Sequence, residues 1–119
     1  MLFRSPIPFR DETIDTVFAF HFLEHFAGKR TIELLREIER CLKVGGTANI
    51  VVPYYRSNMA FHDLDHKCFF TEDTFKTLFS TPYYDKNRET VWKLEINVNI
   101  IIGVAERNLC LMTQLVKKA

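Results

Sequence analysis

The chain has 119 residues, 47% of them hydrophobic and 26% charged. Those proportions suit one folded domain and exclude a disordered, collagen-like or coiled-coil chain. Sixteen Lys and Arg against fifteen Asp and Glu leave a net charge of +1, too little for a long-range field that gathers nucleic acid or an anionic membrane. Eleven Phe in so short a chain demand a large core or a surface shared with another chain. Cys41, Cys68 and Cys110 form no CxxC pair, which predicts reduced, mostly buried thiols. The opening MLFRSPIPFRDE has no h-region or cleavage site, and an uncharged stretch such as Ile96 to Ala105 is too short to span a bilayer. A soluble, cytoplasmic protein is expected.

Turn signals cut the sequence into alternating pieces. Thr16 to Phe20 is a short apolar run that predicts a buried strand. From Arg30 to Lys43, Ile32, Leu35, Ile38 and Leu42 recur at helical spacing, with Leu34 at the margin. Glu39 and Lys43 form an i,i+4 pair on the polar side. Gly45-Gly46 predicts the helix stop, and Thr47 to Val52 the next strand, ended by Pro53.

A long connection runs from Tyr54 to Phe70. Thr71 is a suitable N-cap, with Glu72 and Asp73 in the first turn, and Phe75, Leu78 and Phe79 form the apolar face before Pro82. Trp92, Leu94, Ile96, Val98 and Ile100 then alternate with Lys93, Glu95, Asn97 and Asn99. That spacing predicts a strand with one buried and one wet face. A turn over 103–106 and a return strand from Asn108 to Val116 complete the chain, with Lys117-Lys118 as a solvated tail. The order β-α-β-α-β-β implies an α/β fold, parallel strands first and an antiparallel hairpin last.

Certain of these residues resemble a known family. Ile7-Pro8-Phe9, Ile14-Asp15-Thr16-Val17 and Leu23-Glu24-His25 are similar to the "LPF…FD-x-V…LEH" stretch of class I S-adenosylmethionine-dependent methyltransferases, of the type 11 group. Leu35 to Gly46 resembles the family's "L-x-E-x-x-R-V-L-K-P-G-G", with Cys41 and Val44 as departures. His66, Phe70 and Thr71 resemble its "H-x-x-x-F-T". The resemblance implies a partial Rossmann-like methyltransferase sheet over residues 1–119, a single domain without the family's N-terminal glycine-rich half. No GxGxG loop is present, and none of the four glycines precedes Gly28. Met1 to Ser5 also lack the acidic residue that holds the ribose in the family.

In open parallel sheets, ligands bind beyond the carboxyl ends of the strands, where strand order reverses. The resemblance therefore implies that Phe20, His21 and Phe22 flank S-adenosylmethionine, although Phe20 and Phe22 also read as plain core. His21 and His25 are the candidates for a catalytic base. Tyr54, Tyr55 and Arg56 stand on the substrate side or are ordinary loop residues. His21 to His25 also spells H-x-x-E-H, the inverted zincin motif, and His62 and His66 repeat the spacing among Asp63 and Asp65. A zinc hydrolase is the minor alternative. Because His21 abuts a strand and Gly28 follows closely, the pairs read as solvated or hydrogen-bonded, and no metal is assigned.

The two expected helices are connections of one hand and should share a face of the sheet. The other face then needs cover from a homodimer partner or a separate N-terminal half. Two functions follow: a methyltransferase, or its C-terminal part, inactive as this chain alone, or a non-catalytic interaction module that keeps half the fold.

Overall fold

In the computed structural model, which describes residues 7–80, 91–103 and 108–119, the alternating pattern becomes one mixed sheet. β1 (Ile14–Phe20) leads through a 3₁₀ turn (Leu23–His25) to α1 (Gly28–Cys41) and β2 (Leu42–Pro53). Two short helices follow, α2 (Asn58–Phe61) and α3 (Thr74–Ser80), then β3 (Leu94–Ile102) and β4 (Cys110–Lys117). The strand order is β1-β2-β4-β3. β1 and β2 are parallel, and β4 is antiparallel to both β2 and β3. This is the expected α/β class, with α2 added inside the connection after β2. Pro82 and residues 104–106 of the expected turn lie outside the described residues, as do Met1 to Ser5.

One core holds the layers together. Leu34, Leu35 and Ile38 of α1 meet Ala19, Ala48, Ile50, Val52, Leu111 and Leu115 of the sheet. Phe75 and Leu78 of α3, with Trp92 and Leu94, extend the same cluster. Thr71 begins the α3 turn by accepting the Asp73 N–H at its hydroxyl. Leu34 is buried and Ile32 only partly so, so the apolar stripe is rotated slightly from its predicted centre. All three cysteines are free, and burial pushes each thiol pKa up.

Three expectations change. The helix ends at Cys41, not at the glycines. Ile14 pairs with Leu42 and Thr16 with Thr47, so residues 43–46 bulge out of β2. Gly45 takes φ +85, and a Cβ on Gly46 would stand 2.9 Å from the Asp15 carbonyl oxygen. The glycines serve that bulge rather than a helix cap. With the helix ended early, Lys43 pairs with Asp15 at 3.4 Å, and Glu39 takes Arg36 and the Lys93 N–H instead.

The second change lies in β3, where the register slips between Ile96 and Val98. Before the slip, Leu94 and Ile96 face the helices. After it, Asn99 pairs with buried Thr113 while Val98 and Ile100 pair with Gln114 and Met112 on the opposite face. A bulge reverses alternation, so the simple two-face reading fails halfway along the strand. Third, Lys117 is buried, its Nζ donating to the Leu42 carbonyl at 2.8 Å near the end of α1. Only Lys118, 3.2 Å from Glu95, belongs to the exposed tail.

Among the described residues, α1 and α3 both pack on the face that carries Ala19, Ile50 and Leu111. Across the other face, Phe20, Val51, Met112 and Ile100 form one row, and Phe18, Asn49, Gln114 and Val98 the next. Phe18 and Phe20 are 66% and 56% exposed. An amide ladder crosses the second row: Asn97 donates to Gln114 at 2.7 Å, and Gln114 to Asn49 at 2.9 Å.

Candidate functional site

The carboxyl ends of β1 and β2 lie side by side, joined by the His21 N–H donating to the Val51 carbonyl at 2.7 Å. His21 has φ +55, a left-handed conformation that costs a non-glycine residue about 1–2 kcal/mol. Such outliers are held by the surrounding structure and concentrate at functional sites. The reversal leaves Phe20, His21 and Phe22 all exposed, while Leu23 and Glu24 turn inward. The trio is therefore accessible to a ligand, and the plain-core reading of the two Phe is set aside. Phe22 packs edge-on against Phe26 at 4.9 Å.

Glu24 is 2% exposed, and its Oε1 has no hydrogen-bond partner. Its Oε2 stands 3.7 Å from His21 Nδ1 and 4.0 Å from His25 Nε2. The connection after β2 returns to this point, because Lys67 and Cys68 donate their N–H groups to the Glu24 carbonyl. That brings His66 beside His25, ring centroids 4.9 Å apart. His62 stays farther off, 6.4 Å from His66, with Nδ1 near the carbonyls of Asn58 and Met59. His66 Nε2 lies 3.8 Å from Asp63. The Asp65 N–H donates to Asp63 Oδ1 at 2.9 Å and holds that carboxyl below the ordinary carboxylate range.

Each histidine pair of the sequence thus gives one member to a common cluster, a meeting that spacing along the chain did not reveal. The H-x-x-E-H stretch is a 3₁₀ turn preceded by a left-handed residue, not the long helix that an inverted zincin site needs. Tyr54 is buried and donates to Glu72 at 2.6 Å, while Tyr55 accepts from Arg56. These residues pin the start of the connection to α3. A separate apolar groove of about 670 Å³ lies between α1 and α3, lined by Ile32, Leu35, Cys68, Phe70, Phe75 and Leu78 among others. It contains none of the residues at the carboxyl end of β1. No helix among the described residues is long and apolar enough to cross a membrane.

The strand order and the helix-bearing face are those of a Rossmann-like methyltransferase sheet. A family model described as "Methyltransferase domain" matches residues 3–50, which take in β1, α1 and most of β2. A chain described as a methyltransferase, solved in complex with the Haloferax volcanii Trm112 methyltransferase activator, is 17% identical, with a TM-score of 0.66 over 97% of this chain. An S-adenosylmethionine-dependent methyltransferase from Methanosarcina mazei is 14% identical, with a TM-score of 0.65 over 96%. One from Archaeoglobus fulgidus is 17% identical, with a TM-score of 0.56 over 89% of this chain and 61% of its own. The present chain spans 59% and 64% of the first two structures. No curated protein matches it. The resemblance to class I S-adenosylmethionine-dependent methyltransferases thus holds in sequence over residues 3–50 and in fold over nearly the whole chain.

Proposed function

We propose that this chain supplies the trailing part of an S-adenosylmethionine-dependent methyltransferase. The match over residues 3–50, which ends inside β2, is the observation that carries the reading. On it, Phe20, His21 and Phe22 form one wall of the cofactor cleft. Their exposure leaves the side chains accessible to a ligand, and the left-handed turn at His21 sets the direction the chain takes past them. The cofactor, when bound, brings an activated sulfonium methyl group, and the chain's share is alignment of the acceptor with it. His21 and His25, both partly exposed at the carboxyl end of β1, are the candidate proton acceptors.

A second copy of the chain or a separate N-terminal half covers the face bearing Phe18, Phe20, Val51 and Met112, and completes the cleft. The same exposed row also favours a second reading, a non-catalytic interaction module built on the methyltransferase sheet. Calorimetry with S-adenosylhomocysteine separates the two. The first reading expects binding heat from the chain assembled with its covering partner, abolished by Phe20→Ala with His21→Ala. Absence of heat from that assembly favours the module.

A further inference from the structure

We propose that Glu24, His25 and His66 form a binding site for a divalent first-row transition metal of the zinc class, a site that does not depend on the methyl-transfer reading. One ligand atom from each residue lies within 4.8 Å of the others. Two imidazoles and a carboxylate are a donor set that zinc accepts with a further position left for water or another oxygen ligand. The sequence pattern suggests a different grouping, His21 with His25 on one helix, and that grouping does not form.

Two independent features point to a cation. Glu24 is buried with Oε1 lacking any hydrogen-bond partner, and a desolvated, unpartnered carboxylate oxygen is costly unless a positive charge sits beside it. His66 Nδ1 lies 3.1 Å from the Ala60 carbonyl, so that nitrogen carries the proton and donates. Nε2, 3.8 Å from Asp63 Oδ2, is the ring nitrogen left to ligate. Metal-bound histidines are usually oriented in this way, through the nitrogen that does not ligate. The His66 side chain is also largely buried, at 7% exposure, so its ring is held rather than swinging in solvent.

The chain fixes the three groups from separate directions. Glu24 and His25 come from the turn after β1. His66 comes from the connection after β2, tied back by the Lys67 and Cys68 N–H bonds to Glu24. Donors held roughly 2.0–2.2 Å from a tetrahedral ion stand about 3.4 Å apart, so side chains now within 4.8 Å of one another must draw together to take one. His21 Nδ1, 3.7 Å from Glu24, remains outside the triad and available as a base.

The test uses the full chain, stripped with chelator and titrated with Co²⁺ and Zn²⁺. One equivalent of Co²⁺ should produce visible d–d absorption, and Zn²⁺ should displace it. His66→Asn keeps an amide donor in place of Nδ1 but removes Nε2. It should weaken Zn²⁺ binding by at least about a hundredfold, with unchanged circular dichroism, since even an orienting partner is worth 10- to 100-fold. Glu24→Gln should do the same, whereas His62→Gln should bind as the wild type does. Wild-type protein that takes up no Co²⁺, or a folded His66→Asn variant that binds undiminished, overturns the proposal.

Discussion

Asn99 accepts a hydrogen bond from the hydroxyl of Thr113 at 2.8 Å, on the helix-covered face of the sheet. The Asn99 amide then donates to the Glu72 carbonyl, also at 2.8 Å. A polar side chain is thus directed inward because the bulge in β3 has exchanged the two faces, and its bonds tie the hairpin to the approach of α3. Asn99→Val strips both partners while Thr113 stays fully buried. An expected loss of about 1–3 kcal/mol should appear in urea denaturation. Adding Thr113→Val removes the orphaned hydroxyl, so the double variant should lose less than the sum of the two single ones.

The residues that broke from expectation share a cause. Alternation from Trp92 to Ile100 looks unbroken in the sequence, because Asn97 and Asn99 both read as wet positions. Only pairing with β4 shows that one extra residue is accommodated between Ile96 and Val98. Gly45-Gly46 fits a helix stop equally well as it fits a bulge, and the Asp15 carbonyl pressed against Gly46 decides between them from 31 residues away in sequence (46 − 15). Lys117 reads as a tail until the strand that carries it is set beside the end of α1. By contrast, α1 was legible because its apolar positions repeat locally. β1 was legible as a strand from its apolar run but not as the buried strand expected: only Ala19 is buried, and Phe18 and Phe20 are exposed on the face opposite α1 and α3. At the site, the strand pattern alone gave the position of Phe20, His21 and Phe22 at the carboxyl end of β1. The His25–His66 contact was not, since it needs the long connection to fold back onto Glu24.

Tyr54 and Glu72 give a pH-dependent prediction. The hydrogen bond to Glu72, followed by burial, pushes the Tyr54 phenol up to about 12. A folded pKa raised above the unfolded one means that the bond stabilises fully below about pH 10 and ceases to do so as pH rises toward 12. Tyr54→Phe should therefore denature at lower urea than the wild type near neutral pH, with the gap closing over pH 10–12. Absorbance titration at 295 nm should lose its latest-titrating tyrosine in this variant. A gap that persists unchanged to pH 12 would refute the linkage.

Lys117 is a structural cation. Its Nζ donates to the Leu42 carbonyl at 2.8 Å and lies 3.7 Å from Glu12. Lys117→Met keeps the apolar stem but leaves the carbonyl and the carboxylate without it. Because hydrogen bonds to charged groups contribute about 1.5–3 kcal/mol, the unfolding midpoint should fall by a comparable free energy. Lys118→Met, whose partner Glu95 is well exposed, should change stability by under about 0.5 kcal/mol. Equal effects at the two positions would contradict the burial of Lys117.

Phe18 tests the covered-face proposal without disturbing the core. It is 66% exposed, on the face opposite α1 and α3, and its ring lies edge-on to Phe20 with centroids 5.6 Å apart. Charge on a strand that borders an open edge is a known deterrent to pairing and stacking. Phe18→Lys should reduce unfolding stability by less than about 1 kcal/mol, because it uncovers no buried group. If a second copy or a separate half rests on this face, the same change should convert a larger species to a monomer in light scattering at micromolar concentration, or abolish capture of that half. Ile101→Lys, a similarly exposed change on the β3 position paired with Leu111, is the control and should leave assembly intact. A wild type that is already monomeric and binds no N-terminal half would leave Phe18 with no partner, and the proposal would fall with it.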